Sequence, residues 1–394
     1  MPSQINIVHS IASLAASDGG PSYTVTALSN AQQGLTSGSV HILSGQLSPG
    51  KDVIPDDHVT VHGINRRWPA SQISTRIKLA ELLSIRNTVL HDQGIWHPHN
   101  LAASGFAARH DMPYVISTHG MLEPWTLKHH ALRKKLARWL YQDRLLSGAN
   151  CLMATSEPEL SSIRDAGFFN PVAVIANGID SEVALPLRTA PSHPKTLLFL
   201  SRLHAKKGLI HLIDAWHTLR PSNWQLLIVG PSEEGHREEL QNRVREYKLQ
   251  TQITFRDAVT GNDKYQCYRN ADVFVLPSYS ENFGVVVAEA LACGLPVITT
   301  TGTPWSGLLD HDCGWYINTG TEPLVAALRE VFTTTDKTRM AMGERGRQWM
   351  RTSFQWSAIA AHNIAVYEWI LGLAEIPSCV NIDKHSLRTS ILPR

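Results

Sequence analysis

The chain has 394 residues, and its 36 basic and 34 acidic side chains give a formal charge of +2. That length suits two domains of about 100–200 residues each. With 43% apolar and 18% charged residues, a charge-driven disordered chain is excluded, as is the electrostatic footprint of a general nucleic-acid binder. Cys151, Cys267, Cys293, Cys313 and Cys379 are widely spaced and form no Cys-x-x-Cys pair. Neither a disulfide framework nor a structural zinc site is indicated, and a reducing compartment fits. The start lacks a basic n-region. The longest apolar stretch, Phe283 to Ile298, is interrupted by Glu289, Gly294 and Pro296, short of the ~20 apolar residues of a spanning helix. A cytoplasmic protein without a membrane span is expected.

In chain order, strands are predicted at Ile5–His9, Val40–Leu43, Val59–His62, Ile95–His97, Tyr114–Thr118, Leu152–Ala154 and Val172–Ile175. A second series follows at Thr196–Leu200, Gln225–Val229, Ile253–Phe255, Val273–Leu276 and Val297–Thr299. Amphipathic stretches alternate with them, the pattern of α/β domains with doubly wound parallel sheets. Asp180 to Lys195, with Pro186, Pro191 and Pro194 and little apolar periodicity, reads as the linker. The expected division is a Rossmann-like domain over 1–185, a second over 190–355, a long helix over 356–376 returning to the first, and a poorly ordered tail over 377–394.

Asp18-Gly19-Gly20-Pro21-Ser22 lies between the first strand and a helical pattern from Tyr23 to Gln33. Glycines there let the backbone approach a ligand, and free N–H groups at a helix start favour an anion. A plain tight turn with Ser22 near the cap explains the same residues.

The segment Ser278 to Pro296 is more informative. A strand runs into a loop carrying Glu281, then into a helix of about two and a half turns closed by Gly294 and Pro296. Its N-terminal amides, around Phe283 to Val286, point out of the strand's carboxyl end and can bind a phosphate. Glu289 is its lone charge and needs donors, which ribose hydroxyls can supply, unless it faces solvent. Arg202 and Lys207, in Ser201-Arg202-Leu203-His204-Ala205-Lys206-Lys207-Gly208, follow the first strand of the second series. A guanidinium and an ammonium so placed can neutralise a diphosphate leaving group, or be exposed loop cations.

Arg202 and Lys207, with Glu281-x7-Glu289, the Glu-x-Phe-Gly turn and Gly294-x-Pro296, resemble the retaining glycosyltransferases of family 4, also described as glycosyltransferase group 1. Asn177-Gly178-Ile179-Asp180 and Gly19-Gly20 match that family's interdomain and N-terminal loops, and the resemblance runs from about Ile5 to Leu373. It implies the GT-B fold, two Rossmann-like domains facing across a cleft that holds a nucleotide sugar, with no metal and no cofactor. By position, Glu289 would hold the ribose and Arg202 and Lys207 the diphosphate. Glu281 and the amides of Asn282, Phe283, Gly284 and Val285, with Gly19 and Gly20, would hold the donor. Arg256 to Val259 would meet the base, although Asp257 stands where the family has glycine. Ser117-Thr118-His119-Gly120 matches the family's active-site His-Gly, with His119 a hydrogen-bond partner of the transferred sugar; a packed or capping histidine is the plainer reading. Front-face departure, with the leaving phosphate taking the acceptor's proton, and double displacement through Glu281 both stay open.

The expected function is a retaining, metal-independent transfer from a UDP- or GDP-sugar to a glycan or lipid-linked saccharide, in polysaccharide or O-antigen assembly. A nucleotide-sugar epimerase and a non-catalytic nucleotide-sugar binder are the alternatives. His97 and His99 follow a predicted strand and make a weak metal pair. Asp310-His311-Asp312 resembles an Asp-x-Asp metal motif but reads as structural or solvated. Residues 125–144 carry Lys128, Arg133, Lys134, Lys135, Arg138 and Arg144 against Asp143, with Leu132, Leu136, Trp139 and Leu140 on one helical face. This helix, with Arg66, Arg67 and Trp68, would dock peripherally on the inner face of an anionic membrane, or pack its apolar stripe on the core.

Overall fold

The structure, a computed structural model, describes residues 4–383 except 17–18, 46, 48–49, 66, 68, 84–85, 129–130 and 180–193. The chain forms two compact units: residues up to Gly178 together with those from Trp356 onward, and Ile179–Gln355. The predicted linker lies outside the described residues, apart from Pro194 and Lys195.

Among the described residues the strands are β1 (Asn6–Ile11), β2 (Val40–Ser44), β3 (Thr60–Gly63), β4 (Thr88–Gln93), β5 (Tyr114–Ser117), β6 (Cys151–Ala154), β7 (Val172–Val174), β8 (Lys195–Leu200), β9 (Trp224–Val229), β10 (Ile253–Arg256), β11 (Val273–Leu276), β12 (Val297–Thr300), β13 (Gly314–Ile317) and β14 (Val380–Asn381). The first unit's sheet has the order β14-β7-β6-β5-β4-β1-β2-β3. All its pairings are parallel except β14 on β7. Alternation along each strand sends side chains to two cores. Val8, Leu43, Leu90 and Ile116 pack with Leu79, Phe106 and Ile163 from helices on one face. Ile7, Ile42, Val89 and Val115 pack on the other with Val25 and Leu28 of the helix Gly20–Gln33 and Ile359, Ile364 and Tyr367 of the helix Trp356–Ile370. Gly178 admits this last helix closely, since a Cβ there would lie 2.4 Å from the Trp356 indole.

The second unit is a six-stranded sheet of order β10-β9-β8-β11-β12-β13, parallel throughout. In both sheets the strand order reverses at one point, between β1 and β4 and between β8 and β11. Loops leaving the carboxyl ends of those strands diverge there and open a crevice, the usual place for a ligand in doubly wound sheets.

Three expectations are corrected. Ile95–His97 is not a strand: Ile95 is buried in a loop and His97 caps the helix Pro98–Arg109. The strand is β4, whose His91, Asp92 and Gln93 disguise it as polar sequence although all six residues are buried. The tail is partly ordered, because Val380–Asn381 adds an antiparallel edge to β7. The basic helix is not α-helical throughout: besides Pro124–Lys128 it runs as Ala131–Ala137, a π-helical turn at Arg138–Gln142 and Asp143–Gly148.

Candidate active site

In the second unit, β8 ends at Leu200 and the chain turns through Arg202 to a short 3-10 turn, Ala205–Lys207. Gly208 closes it at φ 68°, where a Cβ would lie 2.2 Å from the Pro277 carbonyl oxygen. Only glycine allows this left-handed close approach. It sets the turn after β8 against the loop after β11, and Lys207 Nζ reaches Glu281 Oε1 at 2.5 Å. The Ser278 hydroxyl donates to the same oxygen at 2.6 Å. The side chains of Lys207 and Glu281 are only 10% and 13% exposed, so the pair is held with little solvent screening. Arg202 is mostly exposed, with its guanidinium 2.7 Å from Glu233.

The loop then delivers Asn282, Phe283 and Gly284 to the helix Val285–Ala292. Gly284 is its N-cap at φ 76° and offers no side-chain cap, which leaves the first amides available. The buried Trp305 indole donates to the Phe283 carbonyl at 2.5 Å and fixes this turn. Glu289, one face further along, has protein donors. Lys264 Nζ lies 2.5 Å from Oε1 and Tyr268 Oη 2.8 Å from Oε2. Its side chain is only 14% exposed, so the expectation that it faces solvent is corrected. Lys264 and Tyr268 lie one turn apart on the helix Gly261–Arg269, a spacing that puts both on one face. Burial, and then the Glu289 charge, push the Tyr268 phenol well above its ordinary value, so it remains a donor.

After β10, Asp257 is exposed, pairs with Arg237, and is absent from the left-handed region that would demand glycine. The loss of the family's glycine therefore strains nothing here. Val259 is half-buried in the same loop.

In the first unit, Gly19 is the N-cap of the helix Gly20–Gln33 at φ 87°, without a side-chain cap. Space beyond both glycines is open. Ser22 is not the cap; its hydroxyl donates to the carbonyls of Ser13 and Ala15. The loop after β5 places His119 at φ 48° and Gly120 at φ 70°, an uncommon conformation for a histidine. The buried Glu159 carboxylate holds it: Oε1 accepts from Thr118 Oγ1 at 2.7 Å and Gly120 N–H at 2.6 Å, and Oε2 accepts from Thr155 N–H and Oγ1 at 2.7 and 2.9 Å. His119 lines a cavity of about 440 Å3, including its solvent-open part, together with Gln93, Thr155 and Asn177. Desolvation lowers its pKa, and Glu159 opposes that shift.

The remaining candidates separate. His97 is exposed and His99 buried, and neither lines the cavity beside His119. Asp312 pairs with Arg345 and His311 stacks on Trp349. Among the described residues no group of three His, Cys, Asp or Glu could hold a metal, and no helix is long and apolar enough to cross a membrane. Asp180, Arg66 and Trp68 lie outside the described residues. The apolar stripe of the basic segment does not pack on the core: Leu132, Leu136, Trp139 and Leu140 are 84, 56, 80 and 60% exposed. Lys134 and Arg138 are committed to the protein, the first to the Thr126 carbonyl and the second to Asp143 and the Ala166 carbonyl.

Sequence reasoning missed Glu159, Lys264 and Tyr268. Ser156-x-x-Glu159 carries a capping-box spacing that points to a helix start rather than to a loop anchor. The i,i+4 pair Lys264 and Tyr268 had no recognisable partner until the fold set Glu289 beside it.

Residues 187–349 match the family described as glycosyl transferases group 1, and residues 19–178 match the glycosyl transferase 4-like domain. The chain is 27% identical over 326 residues to an alpha-maltose-1-phosphate synthase of Mycobacterium tuberculosis, covering 75% of this chain and 82% of the relative. It superposes on a sucrose-phosphate synthase of Thermosynechococcus elongatus with a TM-score of 0.74 at 18% identity, covering 94% of this chain and all of that one. The Anabaena protein HepE, solved in complex with UDP and glucose, gives a TM-score of 0.72 at 17% identity over 93% of this chain and all of its own. With a 4-like domain followed by a group 1 domain, each on its own doubly wound sheet, the chain is a glycosyltransferase, an enzyme of the hexosyltransferase class.

Proposed function

We propose a retaining, metal-independent transfer of one sugar from a nucleotide diphosphate sugar to a saccharide acceptor. The observation that carries it is the Lys207–Glu281 pair at the switch point of the second sheet, beside Arg202 and the uncapped helix start at Gly284. Lys207 and Arg202 neutralise the diphosphate as its bond to the sugar breaks. The amides of Asn282, Phe283, Gly284 and Val285 bind phosphate and sugar oxygens. Glu289, fixed by Lys264 and Tyr268, turns its remaining lone pairs to the ribose, and Val259 lies against the base. Gly19 and Gly20 let the first unit's loop approach the donor, and His119 bonds a hydroxyl of the transferred sugar. Glu281 Oε1 already accepts from Lys207 and Ser278, which makes the carboxylate a poor nucleophile. This favours front-face departure: the sugar's bond to the phosphate oxygen breaks, the acceptor oxygen bonds the same carbon, and the acceptor's proton passes to the leaving phosphate.

Calorimetric titration with UDP, GDP and ADP, with and without EDTA, tests the donor site. One nucleotide binds with a Kd of about micromolar order, unchanged by EDTA, and Glu289→Ala weakens it by about ten- to a hundredfold. HepE's complex with UDP makes UDP the first candidate. Failure of all three nucleotides, or dependence on a divalent ion, overturns this reading.

For the acceptor we infer a glycan or lipid-linked saccharide of a polysaccharide pathway, reached at the inner face of an anionic membrane. The support is the exposed Leu132, Leu136, Trp139 and Leu140 flanked by the exposed Lys128, Arg133, Lys135 and Arg144, the composition of an interfacial helix. Cosedimentation with anionic vesicles falls when Arg133, Lys135 and Arg144 become Gln, and falls most at low salt. Undiminished binding removes the membrane claim. The maltose-1-phosphate synthase relative makes sugar phosphates the acceptors to test against it, in a panel with the donor that calorimetry selects.

A further inference from the structure

A chain of buried polar side chains runs under the first unit's switch point and ends on His119. Its links come from three parts of the sequence: β1 and the helix Gly20–Gln33, β4 and β5, and the C-terminal helix. Gln93, the last residue of β4, sets its amide oxygen 2.8 Å from His119 Nε2 and its amide nitrogen 3.0 Å from His9 Nδ1. His9 Nε2 lies 2.7 Å from the Gln32 amide oxygen, and the Gln32 amide nitrogen 3.2 Å from Tyr367 Oη. Tyr367 Oη lies 2.6 Å from His91 Nδ1, and His91 Nε2 2.7 Å from Ser117 Oγ. Every member except His119 is buried.

The donors and acceptors along this chain are not independent. The Gln93 amide nitrogen can only donate, so His9 Nδ1 accepts and the single proton of a neutral His9 sits on Nε2. That proton meets the Gln32 carbonyl oxygen. The Gln32 amide then donates to Tyr367, whose own proton goes to His91 Nδ1, and His91 donates from Nε2 to Ser117. No bond lacks a donor, and no ring needs a second proton. Desolvation keeps the rings neutral, lowering His9 to about 4 and His91 well below the ordinary histidine value. At the other end the Gln93 oxygen can only accept, and the group facing it is His119 Nε2.

We propose that this relay fixes His119 as the Nε2–H tautomer, so that it presents Nδ1 as a hydrogen-bond acceptor for a sugar hydroxyl, with Gln93 and Gln32 as positioning residues. This deepens the reading of His119 as the residue that meets the transferred sugar. Gln93 acts directly on the ring. Gln32 acts through His9 and lines no part of the cavity beside His119. A free histidine exchanges between tautomers, and an exposed loop histidine would meet a hydroxyl as donor or acceptor with little preference. A ring committed to one tautomer selects hydroxyls that can donate and orients them without reorganisation at the moment of reaction.

Long-range proton–nitrogen correlation spectra of the 15N-labelled full chain, taken without substrate, read the tautomer directly. The His119 signals are identified by their loss in His119→Asn. The expected result is a proton held on Nε2 in the unmodified protein, lost to a mixture of tautomers in both Gln93→Leu and Gln32→Leu. Where a transfer assay is in hand, Gln32→Leu lowers kcat by about tenfold while nucleotide affinity stays unchanged. A His119 proton on Nδ1, or an even mixture in the unmodified protein, overturns the proposal. So does a His119 whose tautomer is untouched by Gln32→Leu. Because the spectra need neither donor nor acceptor, failure of the transferase reading and failure of the relay are told apart.

Discussion

Lys207→Ala lowers kcat by about a hundred- to a thousandfold, the usual loss when one preorganised donor to a developing negative charge is removed. The structure predicts a second consequence. Lys207 and Glu281 are both largely buried and directly paired, so deleting the ammonium leaves a carboxylate held by the Ser278 hydroxyl alone. Breaking a buried pair from one side costs roughly 3–5 kcal/mol of stability. The single variant therefore mixes two effects, and a double variant separates them. Lys207→Met with Glu281→Gln removes both charges and keeps similar shapes, so stability returns toward the parent value. Activity does not return, because nothing then balances the departing diphosphate. The measurements are thermal unfolding of the three proteins and their transfer kinetics with the donor chosen by calorimetry. A double variant that is stable and active would show the pair to be structural. A Lys207→Ala that keeps its kcat and loses only affinity for the donor would make Lys207 a positioning residue.

The same pair shows what sequence could and could not tell. Lys207 and Glu281 stand out in the sequence because each follows a strand of strongly apolar character, and both strands form where the sequence predicts them. Their contact is 74 residues long in sequence and depends on the close approach at Gly208, which no local pattern announces. Glu289 is legible as a charge needing donors, since it stands alone in an apolar helix. Its actual donors belong to a polar helix with no apolar signature of its own. In the first unit, β4 was hidden for the opposite reason. Its buried His91, Asp92 and Gln93 are satisfied by partners from other elements, so the periodicity that betrays a strand is absent. Polar residues in a core are legible only once the fold supplies their hydrogen bonds.

Glu159 is the strongest instance, and its removal carries the second large expected effect. Its buried carboxylate accepts four hydrogen bonds, two of them from backbone amides of the loops after β5 and β6. Glu159→Ala leaves those donors without an acceptor, at a cost of roughly 3–5 kcal/mol, and lowers the melting temperature by roughly 10 °C for a unit of this size. The loss reaches activity because the loop stores strain: His119 sits at φ 48°, a left-handed conformation that costs any residue but glycine and persists where the surroundings impose it. Without the carboxylate the turn relaxes toward negative φ, the ring leaves Gln93, and kcat falls with it. His119→Gly gives the complementary outcome. Glycine enters the left-handed region without penalty, which offsets the lost bond to the buried Gln93 oxygen, so this variant melts near the parent temperature while transfer is impaired. Unfolding curves and transfer rates of Glu159→Ala, Glu159→Gln and His119→Gly decide the matter. The Gln variant falls between parent and Ala, since its one oxygen satisfies one pair of donors and its amide opposes the other. Should Glu159→Ala melt with the parent, the carboxylate does not hold the loop, and the geometry of His119 needs another cause.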